Sequence, residues 1–483
     1  MFEQDRARNL SMVMDFYELT MSNGYFRDGV KDVRVAFDVF YRRNPDGGGF
    51  AIFAGLEQVA DYVEHLHFTD DDIEFLREQN MFCEDFLKYL RNFKFSGSIY
   101  AIPEGTVMYP NTPILTVVAP LLEAQLVETA ILLEINHQSL IATKASRIVR
   151  AAEGRVVSDF GARRAHNIDS AVYGARAAYI GGVDSTATVL AGQMFGIPVS
   201  GTMAHSWVMF YGDEKLAFEK YANVYPDSCT LLVDTYEVLD SGVKNAIRVA
   251  KETLEPMGKR LKGVRIDSGD LAYLSKKTRA MLDEAGLTDC RIVASNSLDE
   301  FTIASLLSQG AKFDIFGVGE RLITARSEPV FGAVYKLAAV EQDGSFVPRI
   351  KISENIEKIT NPGRKRLLRV YDKSGKSVGD LLTLWDEPVP EGDHIRYVDP
   401  VHPWRQKYFE NCTFKDLLKP VFVRGERMLK HVDVHAIRDY VKQQLSTEIW
   451  EEEQRFENPH THYVDMSPAL YELKMNLLHE ERR

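Results

Sequence analysis

The chain of 483 residues predicts a mixed α/β protein: parallel strands alternating with helices in the middle, and an α+β domain built from the flanking parts. Three observations carry this. From about Arg155 to Leu322, short Val/Ile-rich runs end in small or polar residues and are each followed by an amphipathic segment. That rhythm makes parallel strands with right-handed crossovers. The runs are continuously apolar, as strands buried on both faces must be. The segments on either side instead show short strands joined by turns.

The central units follow in order. RVVSDFGARR comes first, then IPVSGTMAHS, then LLVDTY with a helical SGVKNAIRVAKETL. GVRIDSGD precedes the helical LAYLSKKTRAMLDEAG, CRIVASNS precedes LDEFTIASLLSQG, and FDIFGVGERL closes the series. Polar residues or glycines sit at every strand end: Asp159, Thr202 with His205, Asp234, Asp267 with Asp270, Ser295 with Asn296, and Gly317 with Gly319. In a barrel these ends converge on one face; in an open doubly wound sheet they line a crevice. Their recurrence on six segments favours the barrel.

Before residue 150 the chain reads as α+β: VRVAFDVFYRRN alternates like a strand with one exposed face. A glycine-rich PDGGGF turn and a helical AIFAGLEQVADYVEHL follow, and GSIYAIPEGTVMYPNTPILTVVAP gives short strands. FVPRIKISE and KRLLRVYD add strands after about 340 that complete this first domain, and the charged tail from Ala436 reads as helical. The predicted divisions are 1–150, 151–340, 341–435 and 436–483.

Composition narrows the function. A net charge of −12 argues against a general nucleic-acid binder. Cys83, Cys229, Cys290 and Cys412 form no CxxC pair, so neither a zinc ribbon nor a redox pair is expected. The N-terminal MFEQDRARNLSMVMDFY has no apolar signal core, and PILTVVAPLL is too short to span a bilayer. A cytoplasmic location with no membrane partner is the expectation. His431 with His435, and His460 with His462, lack the surrounding pattern of a zinc site and read as solvated histidines.

The candidate chemistry lies at the strand ends. His205 stands in GTMAHSW with no His, Cys or carboxylate beside it. A packed histidine, a metal ligand, a general base and a nucleophile are all open on local grounds. In RIDSGD, Arg265, Asp267, Ser268 and Asp270 crowd one end. Ser268 or Asp270 suits a helix N-cap. The aspartates also suit Mg2+ or ribose hydroxyls, and the arginine suits an anion. In DFGARR, Phe160 suits stacking on a flat ring and Arg163 a carboxylate grip, against a plain core phenylalanine with surface arginines. The FGVG glycines, and Gly181 with Gly182, allow close approach of backbone N–H groups to phosphate, or simply form turns.

Taken together, these stretches resemble the nicotinate phosphoribosyltransferase family. DFYELTM, RNPDGGGFAIFAGLE, SDFGARRAH, GGVDSTATVLAGQMFGIPVSGTMAHSW, LLVDTY, GVRIDSGDL, FGVGERL, VYKL and ENPHTHYVDMSPAL occur in family order nearly end to end. The resemblance implies an irregular TIM-like (β/α) barrel with an α/β sandwich domain, usually dimeric. It implies transfer of phosphoribose from phosphoribosyl pyrophosphate (PRPP) to nicotinate, with Mg2+, coupled to ATP hydrolysis through a phosphohistidine. It places His205 at the phosphorylated position, with Asp234 and Asp267 where Mg2+ and ribose are held. Tyr17 (reaching across from a second subunit), Phe160, Arg163, Thr202 and Arg265 fall at nicotinate positions. Ser206, Asp270, Gly317 and Gly319 fall at PRPP or phosphate positions.

Two departures stand out. Glu320 occupies a position where the family often has threonine, and His166 replaces an expected glutamine. Two alternatives remain. Nicotinamide phosphoribosyltransferases carry aspartate in a Thr-Asp-Thr sequence; here it reads Thr186-Ala187-Thr188, and alanine does not repel nicotinate's carboxylate. A non-catalytic pyridine-nucleotide sensor would be expected to have lost the histidine or the strand-end aspartates, and both are present.

Overall fold

The computed structural model describes residues 8–390 and 395–480. The first seven residues of the N-terminal stretch and the last three of the tail lie outside them. The chain forms two compact units, one of residues up to Leu140 together with those from Val330 on, the other Ile141–Pro329.

In the Ile141–Pro329 unit, five of the six predicted segments and the unpredicted Ser185–Thr186 supply a parallel sheet in the order Ser185–Thr186, Val156–Asp159, Ile315–Val318, Arg291–Ala294, Gly263–Ile266, Thr230–Leu232. Every ladder in it is parallel. The IPVSG segment contributes only a parallel bridge from Val199 to Thr186, because Thr202–Ala204 leaves regular structure before the helix His205–Tyr211. The sheet is consistent with an irregular barrel. Among the described residues no ladder joins Val199 to Thr230–Leu232.

Helices start where the sequence supplies caps. Asn167, Asp213, Asp270 and Asp299 each accept an amide of the first turn that follows, at Ser170, Leu216, Tyr273 and Thr302. Such a cap contributes about 1 kcal/mol. Gly181 does not open a helix: it ends Ile168–Ile180, and a Cβ there would lie 2.3 Å from the Ala142 carbonyl oxygen. It serves close helix packing, not phosphate approach.

The other unit holds two larger sheets. One has seven strands, in the order Ser345–Pro348, Val334–Gln342, Arg34–Phe40, Leu115–Pro120, Ser98–Ala101, Lys419–Val423, Glu426–Arg427. Segments before 140 and after 330 thus share one sheet. Arg34–Phe40 sits inside it and is buried from Val35 to Val39, so it does not alternate between core and solvent. The helix after the glycine-rich turn begins at Leu56, following a short strand, Ala51–Ile52. The other sheet has six strands, including Lys365–Tyr371 and Ser377–Leu384. The tail is not wholly helical: Val464–Met466 joins this sheet parallel to Ser377–Leu384, before the helix Pro468–Glu480.

His462, expected to be solvated, is buried. It stacks on Tyr109 with ring centroids 3.5 Å apart and lies between Glu453 (3.1 Å) and Asp380 (3.5 Å). Asp380 also pairs with the buried Arg369. Burial opposes a charge on His462, but the two carboxylates outweigh it and raise its pKa. His431, His435 and His460 are exposed.

Candidate functional site

Parallel register places the strand ends on one side of the sheet, and the side chains there form a continuous network within the Ile141–Pro329 unit. Its centre is Arg265, on the strand Gly263–Ile266. Nε donates to Ser295 Oγ at 2.8 Å, Nη1 to Thr202 Oγ1 at 3.0 Å and Nη2 to Asp267 Oδ1 at 2.8 Å. The guanidinium carries five N–H groups; these bonds leave one on each terminal nitrogen, a pair that a carboxylate can take bidentately. Arg265 also lies over the Phe160 ring, 5.8 Å from its centroid.

Phe160 is fixed by its backbone and by a glycine. Its N–H donates to the Val318 carbonyl at 2.7 Å. A Cβ on Gly317 would come within 2.5 Å of the ring, so Gly317 makes room for Phe160. Asp159, fully buried, accepts the Gly161 amide at 2.8 Å and the Thr186 hydroxyl at 2.7 Å. It ties the turn after Phe160 to the neighbouring strand end. Burial raises its pKa against these two bonds.

The carboxylates differ in environment. Asp267 Oδ1 accepts from Arg265 and Ser295, and Oδ2 lies 3.9 Å from His205 Nε2. Burial pushes its pKa up, but the Ser295 and Arg265 hydrogen bonds and the positive charges outweigh that, leaving it below the usual carboxylate value. Asp234 is buried. Its Oδ2 accepts the Asp267 amide at 3.0 Å and the Ser268 hydroxyl at 2.6 Å, whereas Oδ1 has no hydrogen-bond partner. A buried carboxylate oxygen without a donor is costly. A cation relieves that cost, so Asp234 fits an Mg2+ site. Among the described residues no three His, Cys, Asp or Glu side chains gather as a preformed metal site. Mg2+ commonly needs only one or two carboxylates, with water and substrate phosphates completing the shell.

His205 opens the helix His205–Tyr211. Its Nδ1 is 3.2 Å from Thr235 Oγ1, and its side chain remains 41% exposed, so a ligand can reach the ring. Thr235 immediately follows Asp234 in LLVDTY, which links His205 to the carboxylate network.

The other expected residues lie outside this network. Arg163 is exposed in a short 3-10 turn, and Arg265 takes the place over Phe160. Asp270 caps the helix Leu271–Glu284, the plainer of its two readings. Ser206 is exposed in the first turn after His205, and Gly319 precedes the short helix Glu320–Ile323. Glu320 pairs with Arg326 at 3.2 Å. Tyr17 belongs to the other unit, on the helix Phe16–Asp28, and is 42% exposed. Sequence reasoning gave no role to Ser295 as the bridge between Arg265 and Asp267, or to Thr235 as the His205 partner. Their signal was position alone, one residue beyond a strand or beside an assigned aspartate.

Parallel strands that gather an arginine with free N–H groups, a half-buried aromatic and an undersatisfied carboxylate at one end mark an α/β enzyme, and comparison with known proteins specifies which. Residues 12–136 match the nicotinate phosphoribosyltransferase N-terminal domain and residues 364–474 its C-terminal domain. Nicotinate phosphoribosyltransferase of Bacillus subtilis is 48% identical over 98% of this chain and 96% of its own. The crystal structure of human nicotinic acid phosphoribosyltransferase superposes with a TM-score of 0.85 at 29% identity, covering 97% of this chain and all of that one. That of nicotinate-nucleotide pyrophosphorylase from Pyrococcus furiosus gives 0.69 at 25% identity, covering 92% and 97%. The chain belongs to the nicotinate phosphoribosyltransferase family and is an enzyme.

Proposed function

We propose that the chain joins nicotinate to PRPP, releasing nicotinate mononucleotide and pyrophosphate on the salvage route to NAD, and couples this to ATP hydrolysis. The observation that carries the reading is the Arg265 fork: two unused N–H groups beside Thr202 and over Phe160. It suits an aromatic ring bearing a carboxylate.

Each group has a task in this reaction. Arg265 and Thr202 orient the nicotinate carboxylate, and Phe160 holds the ring from one face. Tyr17, supplied by a second subunit of a homodimer, closes the other face. The pyridine nitrogen is already nucleophilic, so its attack on the ribose anomeric carbon requires no general base. Orientation is then the main protein contribution. The C–O bond to pyrophosphate breaks as the C–N bond forms, and the leaving group departs with the electron pair. Asp267, held ionised, stabilises positive charge on the ribose. Asp234 and Asp267 would hold Mg2+, which when bound neutralises charge on the departing pyrophosphate.

His205 is the phosphoryl acceptor from ATP. An imidazole nitrogen attacks the γ-phosphorus, ADP leaves, and water later cleaves the phosphoramidate to phosphate. Partial exposure of the ring and its anchoring by Thr235 support this role. Exposed Ala187, at the Thr186–Thr188 strand end, favours nicotinate over nicotinamide because it places no carboxylate against the ligand's own. The net charge of −12 gives no support to a nucleic-acid partner. No described helix is long and apolar enough to cross a membrane, and a cytoplasmic location accords with the proposed substrates.

The test is pyrophosphate release from nicotinate, PRPP and Mg2+. Stoichiometric pyrophosphate and nicotinate mononucleotide support the reading. Binding of both substrates without product would instead make the chain a sensor.

A further inference from the structure

The helix Pro468–Glu480 carries a lysine on its buried side. Leu470 is fully buried, and Lys474, one turn later at i+4, faces the same way. Leu478 continues that stripe, and Leu473 approaches the turn at Gly363. Lys474 Nζ donates to Asn361 Oδ1 at 2.8 Å.

A second ammonium converges on the same asparagine. Lys365 Nζ donates to the Asn361 backbone carbonyl at 2.7 Å and pairs with Asp38 at 2.8 Å. The other oxygen of Asp38 accepts from Thr116 at 2.6 Å. Asp38 is therefore fully engaged, and among the described residues no carboxylate lies within ion-pair reach of Lys474. Charged groups on and beside the strand Ser377–Leu384, against which this helix packs, have partners of their own. Asp380 is held by Arg369, Glu387 accepts from the Leu384 amide and the Ser467 hydroxyl, and Arg366 donates to the Glu387 carbonyl.

We propose that Lys474 is a nucleophilic amine and a site of acylation by acyl phosphates. An ammonium placed on an apolar stripe, beside another ammonium and without a carboxylate, is disfavoured relative to the neutral amine. Burial and then the Lys365 charge lower its pKa to about 8. Lys365, buried at the start of the strand Lys365–Tyr371, does not compete, because Asp38 and three carbonyl oxygens hold its ammonium. Lys474 is only half-buried, so a small reagent reaches it. The positive charge of Lys365 favours an anionic donor over a neutral one.

The reaction balances without a further partner. The ammonium loses a proton to solvent, and the amine lone pair attacks the carbonyl carbon. The C–O bond to phosphate then breaks, and phosphate leaves with the electron pair. An amide on Lys474 remains. This inference does not depend on the proposed transferase activity.

The experiment treats the full-length chain with limiting acetyl phosphate from pH 6.5 to 10 and quantifies each lysine by peptide mass spectrometry. The expected result at pH 8 is acetylation of Lys474 about tenfold faster than the exposed Lys415 and Lys442, since far more of it is neutral there. Its rate should reach half of its plateau near pH 8. A Lys474 rate no greater than that of the exposed lysines, or one still climbing with theirs to pH 10, overturns the proposal.

Discussion

Thr202 Oγ1 accepts a 3.0 Å hydrogen bond from Arg265 Nη1, joining the irregular segment before His205 to the strand Gly263–Ile266. The bond fixes the guanidinium plane, and Ser295 and Asp267 complete the fixation. The unused N–H groups therefore point in a set direction before any ligand arrives, which lowers the ordering cost of binding.

Arg265→Lys keeps the charge and loses the fork. The expected effect is a higher KM for nicotinate and a loss of about 2–3 kcal/mol, roughly 30- to 150-fold in kcat/KM. Steady-state kinetics at saturating PRPP measures it. A lysine variant with unchanged KM would remove Arg265 from the carboxylate site.

Asp234→Asn keeps the shape and the Ser268 contact but removes the negative charge from the orphaned oxygen. The Mg2+ concentration giving half-maximal activity should rise at least about tenfold, with little change in melting temperature. An unchanged Mg2+ titration would place the metal elsewhere.

His205→Asn tests the phosphoryl acceptor. Incubation of the parent enzyme with γ-labelled ATP should give a label that is acid-labile and base-stable. The variant should lose the label and retain some ATP-independent synthesis. Label persisting in the variant would rule out His205.

Glu18 gives a pH prediction. Its carboxyl is buried, accepts from the Thr129 amide at 3.0 Å and from the Thr129 hydroxyl, and has a second oxygen without a partner. Burial is the largest influence and pushes its pKa up to about 7, against the Thr129 bonds. An acid whose folded pKa is raised binds more protons folded than unfolded, so stability falls as pH rises from the unfolded value to about 7. Glu18→Gln should therefore gain on the parent between pH 5 and pH 8, by about 3 kcal/mol at most. Denaturant unfolding at the two pH values reads the difference; a pH-independent gap would contradict it.

Much of the fold was legible because parallel strands write their burial as continuous apolar runs and place their polar residues at the ends. That logic brought Thr202, Arg265, Asp267 and Asp234 together correctly. It failed where burial depends on distant partners. Arg34–Phe40 reads as alternating, yet it lies inside the sheet between Leu115–Pro120 and Val334–Gln342, the latter nearly 300 residues away in sequence, and is buried from Val35 to Val39. His462 looks solvated in PHTHY, but Glu453, Asp380 and Tyr109 enclose it, and only the folded sheet brings them together. Gly317 reads as a turn with room for phosphate; its close packing on the Phe160 ring is a further requirement set by a neighbouring strand end. Arg163 and Arg265 both read as anion-binding residues of the site; the folded chain puts Arg265 over the Phe160 ring.

The central claim is that this site selects a carboxylate-bearing pyridine for phosphoribosyl transfer. The most direct measurement is the ratio of kcat/KM for nicotinate to that for nicotinamide, taken with PRPP and Mg2+ held saturating. An arginine fork facing the ligand and alanine at position 187 predict a ratio of at least roughly a hundredfold in favour of nicotinate. Equal rates, or a preference for nicotinamide, would contradict the account.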